Sequence, residues 1–211
     1  MIDFVIQPGL QPVVERHIRE SADIAAECFG RIVPRLPVQI RLMDTNEVAN
    51  VVAATDPSGV MDMRAFVAKQ RDDRRQYAVP DTVRTMSFVA LPTKVIVGSR
   101  LVTKAYGYSI GEIGEAVTSV ARIANEAGTR HKGFLSQLIA YTAVHETGHL
   151  FGLVKDGTPR QTAGKHCGNV CVMGDSASVE STLQRFRAMG SHLHFCVECT
   201  ADIRTVAESA L

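Results

Sequence analysis

No stretch of this sequence is apolar for long enough to span a bilayer. Even its most apolar run, from near Phe134 to Gly152, is interrupted by His145, Glu146 and His149. The opening residues Met1-Ile2-Asp3-Phe4 lack the basic start and sustained apolar run of a secretory leader. Charge of one sign is missing too: 23 Lys and Arg against 22 Asp and Glu leave a formal net charge of +1. That balance removes the electrostatic case for nucleic acid or an anionic membrane as partner. There is no internal repeat and no low-complexity tract. These absences predict a cytoplasmic protein that binds neither membrane nor nucleic acid, and they leave its oligomeric state open. Cysteine is scarce as well, with only Cys28 ahead of Cys167. The other four crowd between Cys167 and Cys199, which in a reducing compartment points to metal ligation before disulfides. What remains is ordinary: 211 residues, 45% hydrophobic and 21% charged, enough for one globular core.

The chain is organised around His145-Glu146-Thr147-Gly148-His149. Residues four apart on an α-helix lie one turn apart on one face, so the two imidazoles can meet a single metal ion. Glu146 follows the first histidine, which sets its carboxylate beside the metal, where it can take a proton from water. The pattern reads as a zinc hydrolase site. Leu135, Leu138, Ile139, Tyr141, Val144, Leu150 and Phe151 make the segment apolar on nearly all sides, which predicts a buried helix. Buried polar groups of this kind are costly unless something binds them.

Upstream, Val14, Ile18, Ala22, Ala25 and Phe29 recur at helical spacing between Pro12 and Gly30. On that helix His17 reads as solvated and Cys28 as a small buried hydrophobe. Val38, Ile40 and Leu42 alternate with polar residues as in a half-buried strand. Asp44 and Glu47 have capping-box spacing ahead of a short helix, which runs to a turn at Asp56-Pro57-Ser58-Gly59. Residues 60–80 are ambiguous, and Arg71-Asp72-Asp73-Arg74-Arg75 reads as solvated surface. Strands are expected at Ser87 to Leu91 and Lys94 to Val97, and an amphipathic helix through Ile110, Ile113, Val117, Val120 and Ala124 to Gly128. Strands mixed with helices, then a helix-and-loop C-terminal portion rich in ligand residues, predict an α+β fold.

A catalytic zinc needs a third protein ligand. Three residues past Gly152, where the metzincin pattern has its third histidine, stands Lys155, a poor ligand at neutral pH. Asp156 and His166 are the nearby donors. Cys167 with Cys171 and Cys196 with Cys199 are two short-spaced pairs that can close a tetrahedral thiolate site. A redox dithiol at Cys196 and Cys199 leaves the first pair unexplained. A zinc deaminase needs His-x-Glu and Pro-Cys-x-x-Cys, but Glu146 directly follows His145 and Phe195 precedes Cys196. His192 and His194 read as polar neighbours of the second pair.

His166 is followed at once by Cys167, then by Cys171-Val172-Met173 and Cys196-Val197-Glu198-Cys199. In this the chain resembles the archaemetzincins, zinc peptidase-like proteins in which the third histidine adjoins the first of four cysteines. Phe88-Val89-Ala90-Leu91 and Ser99-Arg100-Leu101 are similar, more weakly, to that family's strand region. The resemblance implies a metzincin-like zincin domain: a small mixed sheet on helices, a central active-site helix, and a zinc-stapled C-terminal subdomain at 153–211 following an N-terminal subdomain at 1–152. It implies His145, His149 and His166 as ligands of a catalytic zinc, Glu146 as general base, and Met173 as the Met-turn residue. Cys167, Cys171, Cys196 and Cys199 would hold a second, structural zinc. Two departures stand out: a loop between Gly152 and His166 longer than the family's two-residue link, and a first cysteine pair spaced by three residues instead of four. The loop keeps Asp156 open as the third ligand.

The function expected is a zinc metallopeptidase that hydrolyses peptide or protein substrates by zinc-activated water, with substrate extended along the strand near Lys94 to Ser99. Lys155 and the long loop motivate the alternative, a catalytically silent zinc-binding module of the same fold.

Overall fold

A computed structural model describes the chain apart from residues 81, 98–99, 103–104, 155, 163–165, 177 and 210–211, and the side chains of residues 97, 100, 102 and 113. Strand β1 (Ile2–Ile6) leads into helix α1 (Pro12–Ile32) and strand β2 (Val38–Leu42), which is followed by α2 (Thr45–Ala53). A two-residue strand β3 (Met61–Asp62) precedes α3 (Met63–Gln76), and β4 (Arg84–Val89), β5 (Thr93–Val97) and β6 (Arg100–Val102) follow. Next come β7 (Gly107–Ile110), a 3-10 turn, β8 (Glu115–Ser119), α4 (Val120–Ala127) and α5 (Leu135–Leu150). The remainder carries β9 (Gln161–Thr162), β10 (His166–Cys167), α6 (Val179–Ala188) and α7 (Val197–Glu208). This is the expected mixed architecture.

Five strands form the main sheet in the order β2-β1-β4-β8-β7, parallel except for β7, which runs antiparallel along β8 at one edge. One face carries Ile2, Phe4, Ile6, Met86 and Phe88 into a core shared with α1, α5, Met173 and Ile203, so residues beyond 153 pack into the same core as the N-terminal elements. The other face carries Val5, Val89 and Val117 against Val51 of α2 and Phe66 and Val67 of α3. A smaller sheet, β3-β5-β6, lies apart from it.

Several elements follow the local rules anticipated. Pro12 occupies the first turn of α1, and the Asp44 side chain accepts from the backbone N–H groups of Asn46 and Glu47 in a complete capping box. Cys28 is buried, whereas His17 is not merely solvated: its Nδ1 lies 2.8 Å from Ser136 Oγ on α5. Three expectations need correction. The helix expected through Ile110 to Gly128 starts only at Val120, because Gly111 and Gly114, the latter at φ 69°, stop helical propagation and Glu115–Ser119 joins the sheet. Residues 63–76 are helical, and Arg74 is drawn out of its solvated run into an ion pair with buried Glu115 at 2.9 Å. Strand β1, which no alternation in the sequence marks, is the second strand of the main sheet. Among the described residues no helix is long and apolar enough to cross a membrane.

Candidate functional site

Helix α5 lies between α1 and the sheet edge formed by β7 and β8, and it carries the histidine pair into a largely buried position. The Val172 carbonyl accepts from His145 Nδ1 at 2.9 Å, and the Leu153 carbonyl accepts from His149 Nδ1 at 2.7 Å. A carbonyl can only accept, so each ring carries its proton on Nδ1 and turns a lone pair outward on Nε2. Those two Nε2 atoms are 3.2 Å apart. Two nitrogens bound to one tetrahedral zinc at about 2.0–2.1 Å would stand roughly 3.3 Å apart. Protonating one ring to bridge the gap is opposed by burial and by the neighbouring His149, which together push His145 down to about 3. A cation between the rings resolves the contact that the protein alone leaves repulsive.

His166 completes the group. One ligand nitrogen from each of His145, His149 and His166 lies within 4.8 Å of the others, and the His145 and His166 ring centroids are 5.1 Å apart. Asp156 lies elsewhere along the adjoining groove, where its carboxylate accepts from Gln161 Nε2 at 2.8 Å, and it is no member of that group. Lys155, on which the silent-module reading leaned, lies outside the described residues.

Glu146 points from α5 toward β7. Ser109 Oγ donates to its Oε2 at 2.6 Å, and burial raises its pKa above the ordinary carboxylate value. The approach of strand to helix depends on glycine. A Cβ at Gly107 would lie 2.6 Å from Glu146 Cγ, and one at Gly111 would lie 2.7 Å from the His149 carbonyl oxygen. Behind the histidines, Met173 is fully buried, and its sulfur fills the space that a Cβ at Gly148 would need. A glycine inside a helix costs about 1 kcal/mol relative to alanine, and this one, in the last turn of α5, makes room for that methionine.

The four cysteines converge on one point. Their sulfurs lie within 4.8 Å of one another, with Cys167 and Cys196 at 3.8 Å, near the roughly 3.8 Å expected of two thiolates sharing one tetrahedral zinc at about 2.3 Å. All are free of disulfides. The Cys196 backbone N–H donates to Cys171 Sγ at 3.2 Å, and Asn169 Nδ2 donates to Cys196 Sγ at 3.5 Å. A hydrogen bond from Cys199 pulls Cys171 down to about 6, while the same bond pushes Cys199 up. Four thiols packed this closely cannot all ionise without a cation, so the donor set fits a metal. His192 and His194 are exposed and lie outside the cluster.

No family model matches the sequence. Archaemetzincin from Archaeoglobus fulgidus is 26% identical over 181 residues, covering 80% of this chain and 99% of that protein. The crystal structure of archaemetzincin from the same organism, complexed with malonate, superposes with a TM-score of 0.57 at 17% identity, covering 96% of this chain and 99% of that one. The chain is archaemetzincin-like. A zinc-dependent peptidase from Methanocorpusculum labreanum shares the fold, at a TM-score of 0.62 and 16% identity over 96% of this chain and 100% of that one.

In this archaemetzincin-like fold a groove of about 990 Å³ runs along α5 past Glu146 and His149, bordered by β7 and by Leu150 to Val154. A smaller cavity of about 270 Å³ opens on the other side of His145, between Tyr106, Tyr141 and Asp175. The strand flanking both is β7, not the strand near Lys94 to Ser99. That earlier segment contributes β5 to the smaller sheet, and its residues 98–99 lie outside the described set. The signal for β7 was present in Gly107 and Gly111, which bracket a short Tyr-Ser-Ile run.

Proposed function

We propose that this chain is a zinc-dependent metallopeptidase acting on peptide or protein substrates. His145, His149 and His166 would hold a catalytic zinc; Cys167, Cys171, Cys196 and Cys199 would hold a second, structural one. The observation that carries the reading is the pair of unprotonated Nε2 atoms 3.2 Å apart with the Glu146 carboxylate beside them. Zinc in such a site supplies Lewis acidity, drawing charge from a substrate carbonyl and lowering the pKa of water. The remaining work falls to the protein. Ser109 fixes Oε2 of Glu146, so the carboxylate is oriented before substrate arrives. Its raised affinity for a proton suits it to take one from water as the water oxygen attacks the carbonyl carbon. As the C–N bond breaks, Glu146 returns that proton to the leaving amine. The Val172 and Leu153 carbonyls keep both imidazoles in one tautomer throughout. Met173 supports the helix from behind, as the Met-turn residue would.

Glu146→Gln tests the assignment. The variant is expected to keep two zinc per chain by elemental analysis while its kcat on a quenched peptide library falls by about 10²-fold or more. Full activity in that variant would remove Glu146 from the mechanism.

A further inference from the structure

The groove beside His149 holds one cation among its described lining residues, Arg84. This arginine opens β4 and reaches under the end of α5. Its Nε donates to the Leu150 carbonyl at 2.9 Å and its Nη1 to the Thr82 carbonyl at 3.3 Å. The guanidinium carbon sits 4.7 Å from the centroid of the Phe151 ring. Two carbonyls and a ring face hold the group still, and none of them neutralises it. Among the described residues no carboxylate comes within ion-pair distance of Arg84, and the other end of its fork, Nη2, makes no protein hydrogen bond.

An arginine pinned by backbone acceptors, half-buried on the wall of a groove and with no ion-pair partner among the described residues, is preorganised for an anion. Little side-chain freedom remains to be lost when it binds one. Glu112 and Asp156 line the same groove, so an acidic substrate is not favoured everywhere along it, only where it meets this guanidinium. The hydrogen bond to Leu150, the residue after His149, sets that position on the flank of the site toward the C-terminal end of α5. The small cavity on the opposite flank offers Asp175 instead.

We infer that Arg84 is a specificity-determining residue that selects substrates presenting a carboxylate on this one flank of the reacting bond. The inference rests on the peptidase reading above and deepens it. The carboxylate can be that of an aspartate or glutamate side chain or that of the chain terminus, and the test separates the two. A glutamate is walked through each position of an uncharged peptide with an amidated end, against glutamine at the same positions. The uncharged peptide is also compared with its C-terminus free and amidated. The quantity read is the ratio of kcat/KM, acidic over neutral, which a uniform loss of activity does not move. In the unaltered protein one position, or the free terminus, should give a ratio of about 10 or more. Arg84→Met should bring that ratio to near 1, and Arg84→Lys should restore part of it. A ratio near 1 for every acidic peptide, or a preference that persists in Arg84→Met, overturns the inference. The same peptides are titrated onto Glu146→Gln by fluorescence anisotropy. If no peptide is cleaved but the carboxylate preference in binding is present and depends on Arg84, the peptidase reading fails and this inference stands. If binding shows no preference, the inference fails by itself.

Discussion

Gly107 has no side chain, and Glu146 depends on that. A methyl group there would meet the glutamate Cγ at 2.6 Å, so Gly107→Ala must either push the carboxylate off Ser109 or lift the strand. The expected outcome is a fall in kcat of about 10²-fold with zinc content unchanged, since misplacing a catalytic group by an ångström costs that much. Elemental analysis beside peptide turnover checks it. The choice of third ligand is equally sharp at this scale. His166→Ala should bind one zinc fewer per chain, whereas Asp156→Asn should keep both, because the Asp156 carboxylate faces Gln161 and not the histidine cluster. Much of the candidate site stands in short motifs: the histidine pair with Glu146 follows helix spacing and the four cysteines fall in two close pairs, whereas His166 was marked by the family resemblance and not by geometry. Asp156 could not be set aside from sequence, since a loop's path is not written in its spacing. Arg84 and Ser109 were illegible for a related reason. Each is a single residue brought to the site by strand pairing with distant segments, and nothing local marks it.

At the scale of elements, the packing of α1 on α5 carries the site. Phe29 of α1 stacks on Phe151 at 5.7 Å and meets Phe195 at 5.5 Å, joining the end of α5 to the segment ahead of α7. Phe29→Ala should cost about 3–5 kcal/mol, read as a lower urea midpoint with unchanged slope. The opposite face of the sheet predicts a pH dependence. Asp3, Thr85 and Glu115 form one register row across β1, β4 and β8, and burial pushes Glu115 up to about 7 against the pull of Arg74. A carboxyl raised in the folded state favours the fold while it is protonated. Its stabilisation is complete below its unfolded value near 4.5 and is lost as pH rises through about 7. Across that window the native protein should lose stability relative to Glu115→Gln, which lacks the titration, in urea unfolding at a series of pH values. Amphipathic elements such as α1 and β2 were readable from periodicity. Strand β1 was not, because a strand buried on both faces shows no alternation and Asp3 interrupts its apolar run. The false helix through Ile110 and Val117 arose because apolar residues on successive strands can mimic a helical repeat, and only the glycines between them argue otherwise.

Across the whole molecule, the cysteine cluster and the histidine-bearing helix share one core, in which Cys167, Cys171, Cys199 and Met173 pack with Tyr141 and Val144 of α5. Cys171→Ser should lose one zinc and lower the melting temperature by about 6–12 °C, what a loss of about 3 kcal/mol does to a domain of this size. Scanning calorimetry with metal analysis on the same sample checks it, and Glu146→Gln, which should keep both ions, is expected to melt with the unaltered protein. The mixed fold class was readable from the alternation of patterns. The order of the strands was not, because pairing across the sheet depends on contacts between residues dozens of positions apart. His166 and Cys167 are consecutive, so a single peptide bond ties the histidine group to the thiol group. Displacing Cys167 from its neighbours would slacken β10 and the third imidazole with it, so damage to one donor group should be felt at the other.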